Sequence, residues 1–158
     1  MAIYKILRSR YNPFLLIMVE NNSLGFLRTC MDKRFVHGFQ RTFEDATDLD
    51  AGNYWVAANK GGAAARLTPG QKAEFEYTLD NGATQAGWGA HLERCGGLPG
   101  VEDASITNRL QRVVIARERH YPEITHIGLL ASSKGIEVFT PEEARKALRT
   151  TTIFKAGK

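Results

Sequence analysis

Residues 72–92, KAEFEYTLDNGATQAGWGAHL, constrain the fold more than any other stretch of the chain. Apolar residues alternate with polar ones up to a central DNG, and the alternation resumes after it. A period of two is typical of a strand with one buried face. The Asn-Gly pair offers the positive φ angles that a tight hairpin turn requires. The sequence therefore predicts a β-hairpin over residues 72–92, with Phe75, Tyr77 and Trp88 in the core.

The other segments extend this hairpin into a larger sheet. Apolar runs at residues 14–20 and 24–30, separated by turn residues, predict a second hairpin. Residues 102–119 have apolar side chains at helical spacing, and Thr140-Pro141 begins another helix with a cap and a proline at its first position. The remaining predictions are a helix at residues 43–49, strands at residues 53–58, 124–130, 136–139 and 151–154, and a last helix over residues 141–149.

These elements predict the α+β class, with a mainly antiparallel sheet flanked by two or three helices. With 158 residues, the chain has the length of one domain, and we expect residues 1–158 to form it. The segment at residues 95–102 is rich in glycine, and it marks the best internal boundary, between a β-rich N-terminal part and an αββαβ C-terminal part.

Composition excludes two broad classes of protein, namely disordered chains and membrane-spanning bundles. Hydrophobic residues make up 43% and charged residues 24% of the chain, which is ordinary for a folded soluble domain. The longest apolar run, at residues 14–19, is far shorter than the roughly 20 residues that span a bilayer. Two cysteines are too few for a disulfide framework. We therefore expect a cytoplasmic protein without a membrane partner.

The charge distribution suggests a partner. The net charge is +4, and the basic excess lies in the N-terminal quarter and the C-terminal third of the chain. Arginine suits planar contacts with phosphate groups, so a basic surface predicts a nucleic acid or a nucleoprotein complex as partner. The predicted binding residues on the two C-terminal helices are Arg109, Arg112, Arg119, Arg145, Lys146 and Arg149.

A second anion site is predicted at residues 59–63, NKGGA. Glycines allow the backbone to approach a ligand closely, and Lys60 adds a positive charge. The spacing of a P-loop or of a dinucleotide-binding motif is missing. A plain glycine-rich turn is therefore the favoured interpretation of this segment, with the anion site as its alternative.

Glu74 and Glu76 form an ExE pair that the predicted strand would place on one face of the sheet. The pair resembles the motif of arginine-type ADP-ribosyltransferases, and residues 52–55, GNYW, followed by an alanine-rich segment, resemble a strand of that superfamily. This resemblance covers residues 52–76. It implies that NAD would be bound and consumed and that Glu74 and Glu76 would be the catalytic residues.

Cysteine and histidine offer two further kinds of site. His91 and Cys95 are four residues apart, and His120 and His126 flank a helix-to-strand connection, so four ligands could converge on zinc. Cys30 with His37, or Cys95 with His91, would supply a thiol and a base. No paired CxxC motif is present, so the sequence predicts neither a metal site nor a cofactor.

Three functions follow from these patterns. The first is a small non-enzymatic binding protein that contacts nucleic acid or a nucleoprotein partner through its basic helices. The second is a protein-binding inhibitor or adaptor with an exposed apolar patch that includes Trp55 or Trp88. The third is an NAD-consuming enzyme that uses Glu74 and Glu76. The lack of a recognisable catalytic motif makes us expect a protein that is not an enzyme.

Overall fold

A computed structural model describes the backbone of residues 24–156 and the side chains of residues 24–150. The strands in this range are β1 (Gly25–Cys30), β2 (Tyr54–Asn59), β3 (Gln85–His91), β4 (Thr125–Ser132) and β5 (Gly135–Phe139). The α-helices are α1 (Val36–Thr47), α2 (Pro69–Asp80), α3 (Asp103–His120) and α4 (Pro141–Ala156), and a short 3₁₀ helix spans Gly62–Ala64.

The strands of the described range form one mixed sheet in the order β2-β1-β3-β4-β5. All neighbouring pairs are parallel except β4 and β5, which form an antiparallel hairpin. The α+β class is correct, but the prediction of a mainly antiparallel sheet with two or three helices is wrong. Parallel neighbours require long crossovers, and α1, α2 and α3 supply them.

The predicted hairpin at residues 72–92 does not exist, because its first half is helical. The Thr68 hydroxyl accepts from the Gln71 backbone, and the Gln71 side chain accepts from the Thr68 backbone, so a capping box begins α2. Phe75 and Thr78 are buried, whereas Tyr77 is 51% exposed, which is helical spacing. The tight turn is instead the end of α2, where Gly82 adopts a positive φ of 94°.

Most of the other predicted elements are present. The strand at residues 53–58 and the helix at residues 102–119 correspond to β2 and α3, and the strands at residues 124–130 and 136–139 correspond to β4 and β5. The strand predicted at residues 151–154 is wrong, because α4 continues through it. Residues 24–30 do form a strand, but its neighbours are β2 and β3. The predicted strand at residues 14–20 lies outside the described residues.

The sheet separates two apolar cores in the described part of the chain. Successive residues of β1 point to opposite faces, so Phe26 joins Phe75 and Trp88 under α2 and α3, while Leu27 packs with Phe43 under α1. None of the described helices is long and apolar enough to span a membrane.

The crossovers create a switch point in the sheet. The chain leaves β1 towards α1 on one face and leaves β3 towards α3 on the other face, although β1 and β3 are neighbours. In sheets of this kind, ligands bind in the crevice outside the carboxyl ends of the two strands at such a point. A ligand site is therefore expected at the carboxyl ends of β1 and β3.

Candidate metal centre

Three side chains with metal-ligand chemistry meet at the switch point. Cys30 is the last residue of β1, His91 is the last residue of β3, and Cys95 lies in the loop that follows β3. Their ligand atoms all lie within 4.8 Å of one another, and all three side chains are buried. Two sulfurs and an imidazole nitrogen form a donor set that suits zinc.

The two sulfurs have the spacing of ligands to one metal ion. Both cysteines are free thiols, and their Sγ atoms lie 3.9 Å apart, whereas a disulfide bond is about 2.05 Å long. A tetrahedral zinc ion with Zn–S bonds of about 2.3 Å places two sulfur ligands about 3.8 Å apart. Cys30 and Cys95 therefore match two corners of a tetrahedral site.

The hydrogen bond of His91 determines which ring nitrogen is free to bind a metal ion. Nδ1 lies 2.8 Å from the carbonyl oxygen of Leu92, and because a carbonyl only accepts, Nδ1 carries the proton. In the neutral ring, Nε2 then presents a lone pair. Nε2 is buried and has no hydrogen-bond partner in the described part of the chain. A buried polar atom of this kind is costly unless a proton or a metal ion satisfies it.

Phe35 and Asp32 both contact the His91 imidazole. The Phe35 ring stacks on the imidazole at 4.8 Å, which fixes the ring plane. An Asp32 carboxylate oxygen, Oδ2, lies 3.5 Å from Nε2, at the limit of a hydrogen bond. This is an ion pair only when His91 is protonated, since two lone pairs face each other in the neutral state. A cation beside Nε2 removes that repulsion.

Arg34 fixes the Asp32 carboxylate. Its backbone and Nε donate to Oδ1 at 3.0 and 3.1 Å, and its Nη2 donates to Oδ2 at 2.8 Å. These hydrogen bonds lower the pKa of Asp32 to about 2. The carboxylate is therefore charged at neutral pH, and it adds negative potential beside the three ligands.

A strained loop delivers Cys95 to the other two donors. Glu93 and Arg94 both have φ of 64°, a left-handed conformation that costs free energy for residues other than glycine. The Glu93 carboxylate accepts from the backbone and hydroxyl of Ser133 at 2.9 and 2.7 Å, and the Glu93 backbone donates to Asp103. These bonds hold the chain reversal, which returns Cys95 towards Cys30.

Burial, above all other causes, raises the pKa of the Cys95 thiol. A buried neutral thiol is a weak nucleophile, because the thiolate is the reactive form. Metal coordination deprotonates a cysteine directly, so a raised pKa in the absence of metal is compatible with a ligand role.

The same atoms do not form a catalytic triad. A triad places the acid on one imidazole nitrogen and the nucleophile on the other. Here Nδ1 donates to the Leu92 carbonyl and Nε2 has no hydrogen-bond partner among the described residues, so neither ring nitrogen is bonded to a thiol. The convergence of three donor atoms within 4.8 Å is instead the arrangement that metal ligands have.

Comparison with known proteins does not identify the site. No protein-family model matches the chain, and a search of curated proteins finds no significant relative.

Some of the residues that the sequence suggests as metal ligands lie together in the structure, and others lie apart. His91 and Cys95 converge, as their spacing suggested, but the third donor is Cys30. His126 is buried beside Trp88, and His120 is exposed at the end of α3. Cys30 cannot be recognised as a third ligand from the sequence, because only the pairing of β1 with β3 brings it to the cluster.

The glycine-rich loop at residues 59–63 has a packing role in this structure. Gly61 and Gly62 have positive φ angles of 77° and 56°. Gly62 packs so closely on Gly89 and Cys30 that a side chain would overlap their backbone atoms. The 3₁₀ helix that follows is only three residues long, and Lys60 is exposed. The loop thus supports the carboxyl ends of β1 and β3.

Glu74 and Glu76 lie on α2 instead of on a strand. Residues two apart on a helix are separated by about 200°, so these carboxylates do not share a face. Glu74 is exposed, whereas Glu76 pairs with Lys72 at 3.2 Å and accepts from the Tyr121 hydroxyl at 3.4 Å. The shared face on which the ExE interpretation depended is absent.

The predicted basic residues lie on adjoining helices, because α3 packs against α4. The side chains exposed to solvent are Arg109, Arg112, Arg119, Lys146 and Arg149. Arg145 is half-buried and forms an ion pair with Glu118, which neutralises part of the positive charge. Of the two tryptophans proposed for an apolar patch, Trp88 is fully buried, while Trp55 is 46% exposed.

Proposed function

We propose that this protein binds one zinc ion through Cys30, His91 and Cys95. The observation that carries the proposal is the convergence of three buried donor atoms within 4.8 Å, one of which is an imidazole nitrogen without a hydrogen-bond partner in the described residues. The position supports it as well, because the carboxyl ends of neighbouring strands at a switch point are where sheets of this type bind ligands.

The donor set favours zinc over other biological cations. Magnesium and calcium prefer carboxylate, carbonyl and water oxygens, whereas the three convergent donors are two sulfurs and an imidazole nitrogen. Thiolates with imidazole suit zinc, and they also bind copper(I). The Nδ1 hydrogen bond from His91 to Leu92 is the outer-shell contact that orients a metal-binding histidine.

Metal analysis and zinc titration test the proposal. Protein stripped with a chelator should take up one zinc ion per chain in competition with a zinc-sensitive dye. Cys30→Ser, His91→Ala and Cys95→Ser should each weaken binding by more than about 100-fold, because even outer-shell changes cost about 10- to 100-fold.

His37→Ala and His120→Ala are the matched controls, because both histidines are exposed and lie outside the cluster. Circular dichroism establishes that each variant is folded before its affinity is compared. If wild-type protein takes up no zinc, or if folded Cys30→Ser and Cys95→Ser proteins bind it as well as the controls do, the proposal is wrong.

We propose nucleic-acid binding as a second candidate function, which the packing of α3 against α4 supports. This packing places Arg109, Arg112 and Arg149 on neighbouring helices. Fluorescence anisotropy with labelled DNA and RNA at several salt concentrations tests it, because phosphate contacts strengthen as salt falls.

Replacement of Arg109, Arg112 and Arg149 by glutamine should reduce the salt dependence of binding. The control replaces the exposed Arg41 by glutamine on α1, on the other face of the sheet. Equal loss in both proteins, or no binding at low salt, would remove this candidate.

A further inference from the structure

The number of donors distinguishes two kinds of zinc site. A structural site has four protein ligands, whereas a site that acts on other molecules has three protein ligands and one open position. Three donors converge in the part of the chain that the structure describes. Asp32 is a candidate for a fourth ligand, because its Oδ2 lies 3.5 Å from His91 Nε2, but it is not part of the convergent group.

Arg34 keeps Asp32 from completing the site. Both carboxylate oxygens already accept hydrogen bonds from Arg34, at 3.0 and 3.1 Å on Oδ1 and at 2.8 Å on Oδ2. A carboxylate in this forked geometry is held in orientation as well as in position. Asp32 would have to move from the position in which the guanidinium holds it in order to become a fourth metal ligand.

The Asp32 carboxylate is a partly exposed group beside His91 Nε2. Cys30, His91 and Cys95 are between 0% and 3% exposed, whereas the Asp32 side chain is 22% exposed. A ligand bound beside Nε2 would therefore contact the Asp32 carboxylate, which is in a position to select it.

On the basis of the proposed zinc site, we infer that it has one open coordination position that takes a neutral oxygen ligand bearing a proton. Two thiolates balance the charge of a zinc ion, and the Asp32 carboxylate can only accept hydrogen bonds, so it favours a ligand that donates one over an anion without a proton. A ligand with an O–H group would hold its oxygen at the open position while the O–H donates a hydrogen bond to Asp32 Oδ2. Water is the simplest member of this class, and hydroxamic acids are larger ones.

Cobalt(II) serves as a spectroscopic probe, because its absorption bands respond to coordination number. Acetohydroxamic acid represents the ligands with a proton, and azide represents the anions without one. With cobalt-loaded wild-type protein, acetohydroxamic acid should change the bands saturably and at lower concentration than azide.

Asp32→Asn should reverse this selectivity. The loss of a charged hydrogen bond should weaken the binding of acetohydroxamic acid by about tenfold or more. The loss of a negative charge should strengthen the binding of azide. The ratio of the affinities for acetohydroxamic acid and azide decides the test, because a site that is only distorted would bind both ligands more weakly. Glu137→Gln removes the same charge from an exposed position on β5 and should leave the ratio unchanged.

Three results would overturn the inference. Bands that respond to neither ligand would show a closed site, although zinc binding itself could stand. A ratio that is equal in Asp32→Asn and Glu137→Gln proteins would remove Asp32 from ligand selection. A failure of the wild-type protein to take up one cobalt or zinc ion would overturn both this inference and the zinc site.

Discussion

The Sγ atoms of Cys30 and Cys95 lie 3.9 Å apart, although 65 positions separate the two residues in the chain. Without metal, the oxidant diamide should join them, because it removes two electrons and two protons from the pair as the sulfur–sulfur bond forms. Zinc should protect both sulfurs, since each would be held as a metal-bound thiolate. Intact-mass measurement detects the loss of two hydrogens in the metal-free protein.

The single variants provide the control for this prediction. Cys30→Ser and Cys95→Ser each leave one thiol, so neither can form the internal bond. The prediction is wrong if the metal-free wild-type protein keeps both thiols after treatment, or if zinc-loaded protein is oxidised at the same rate.

In this protein a sequence pattern predicts the helix α3 correctly, but no pattern predicts which strands lie next to each other in the sheet. The spacing of Ile106, Leu110 and Val114 predicts α3, and all three side chains are buried. A local pattern cannot show that β1 lies between β2 and β3, because these pairings depend on crossovers of many residues. The candidate site has the same limit, since the spacing of His91 and Cys95 is visible but the approach of Cys30 is not.

A second prediction compares Phe75 with Tyr77. In the hairpin that the sequence suggested, both residues belong to the buried face, but in α2 only Phe75 is buried. Phe75 packs on Phe26 and Trp88 with ring centroids 5.0 and 5.1 Å away. Phe75→Ala should therefore lower the free energy of unfolding by about 3–5 kcal/mol, as for other buried aromatic residues.

Tyr77→Ala is the control for Phe75→Ala, because the Tyr77 side chain is largely exposed. Its effect should stay below about 1 kcal/mol in urea unfolding. Similar losses for the two variants would support the alternating strand and contradict the helix.

A third prediction concerns the pH dependence of stability. Trp88 Nε1 donates to His126 Nδ1 at 3.1 Å, and His126 Nε2 donates to the Tyr121 carbonyl at 3.0 Å, so the buried ring is neutral. Burial lowers the pKa of His126 from its ordinary value of 6.5. The unfolded chain therefore binds the proton more readily, and stability should fall as pH drops from about 6.5 towards the lowered pKa.

His126→Gln tests this dependence, because glutamine keeps an acceptor and a donor but does not titrate in this range. Urea unfolding between pH 5 and pH 8 should show a smaller loss of stability on acidification for this variant than for wild type. His120→Gln, at an exposed position, should resemble wild type. A wild-type slope in His126→Gln would assign the pH dependence to other groups.

The fourth prediction uses two neighbouring glycines in the loop that carries Cys95. A side chain at Gly97 would overlap the backbone of Lys60 and Gly61, whereas a side chain at Gly96 meets no atom within 4 Å. Gly97→Ala must therefore move the loop away from the 3₁₀ helix, and Cys95 moves with it. We expect a loss of about 1–3 kcal/mol in stability, as for other overpacked positions.

Zinc affinity should fall together with stability in Gly97→Ala, by about tenfold or more, because displaced supports of a metal ligand cost that much. Gly96→Ala should change the free energy of unfolding by no more than about 0.5 kcal/mol and leave zinc affinity unchanged. Titration of both variants with zinc, beside urea unfolding, separates the two effects. If Gly97→Ala binds zinc as tightly as Gly96→Ala while losing stability, the loop does not position Cys95 for the metal.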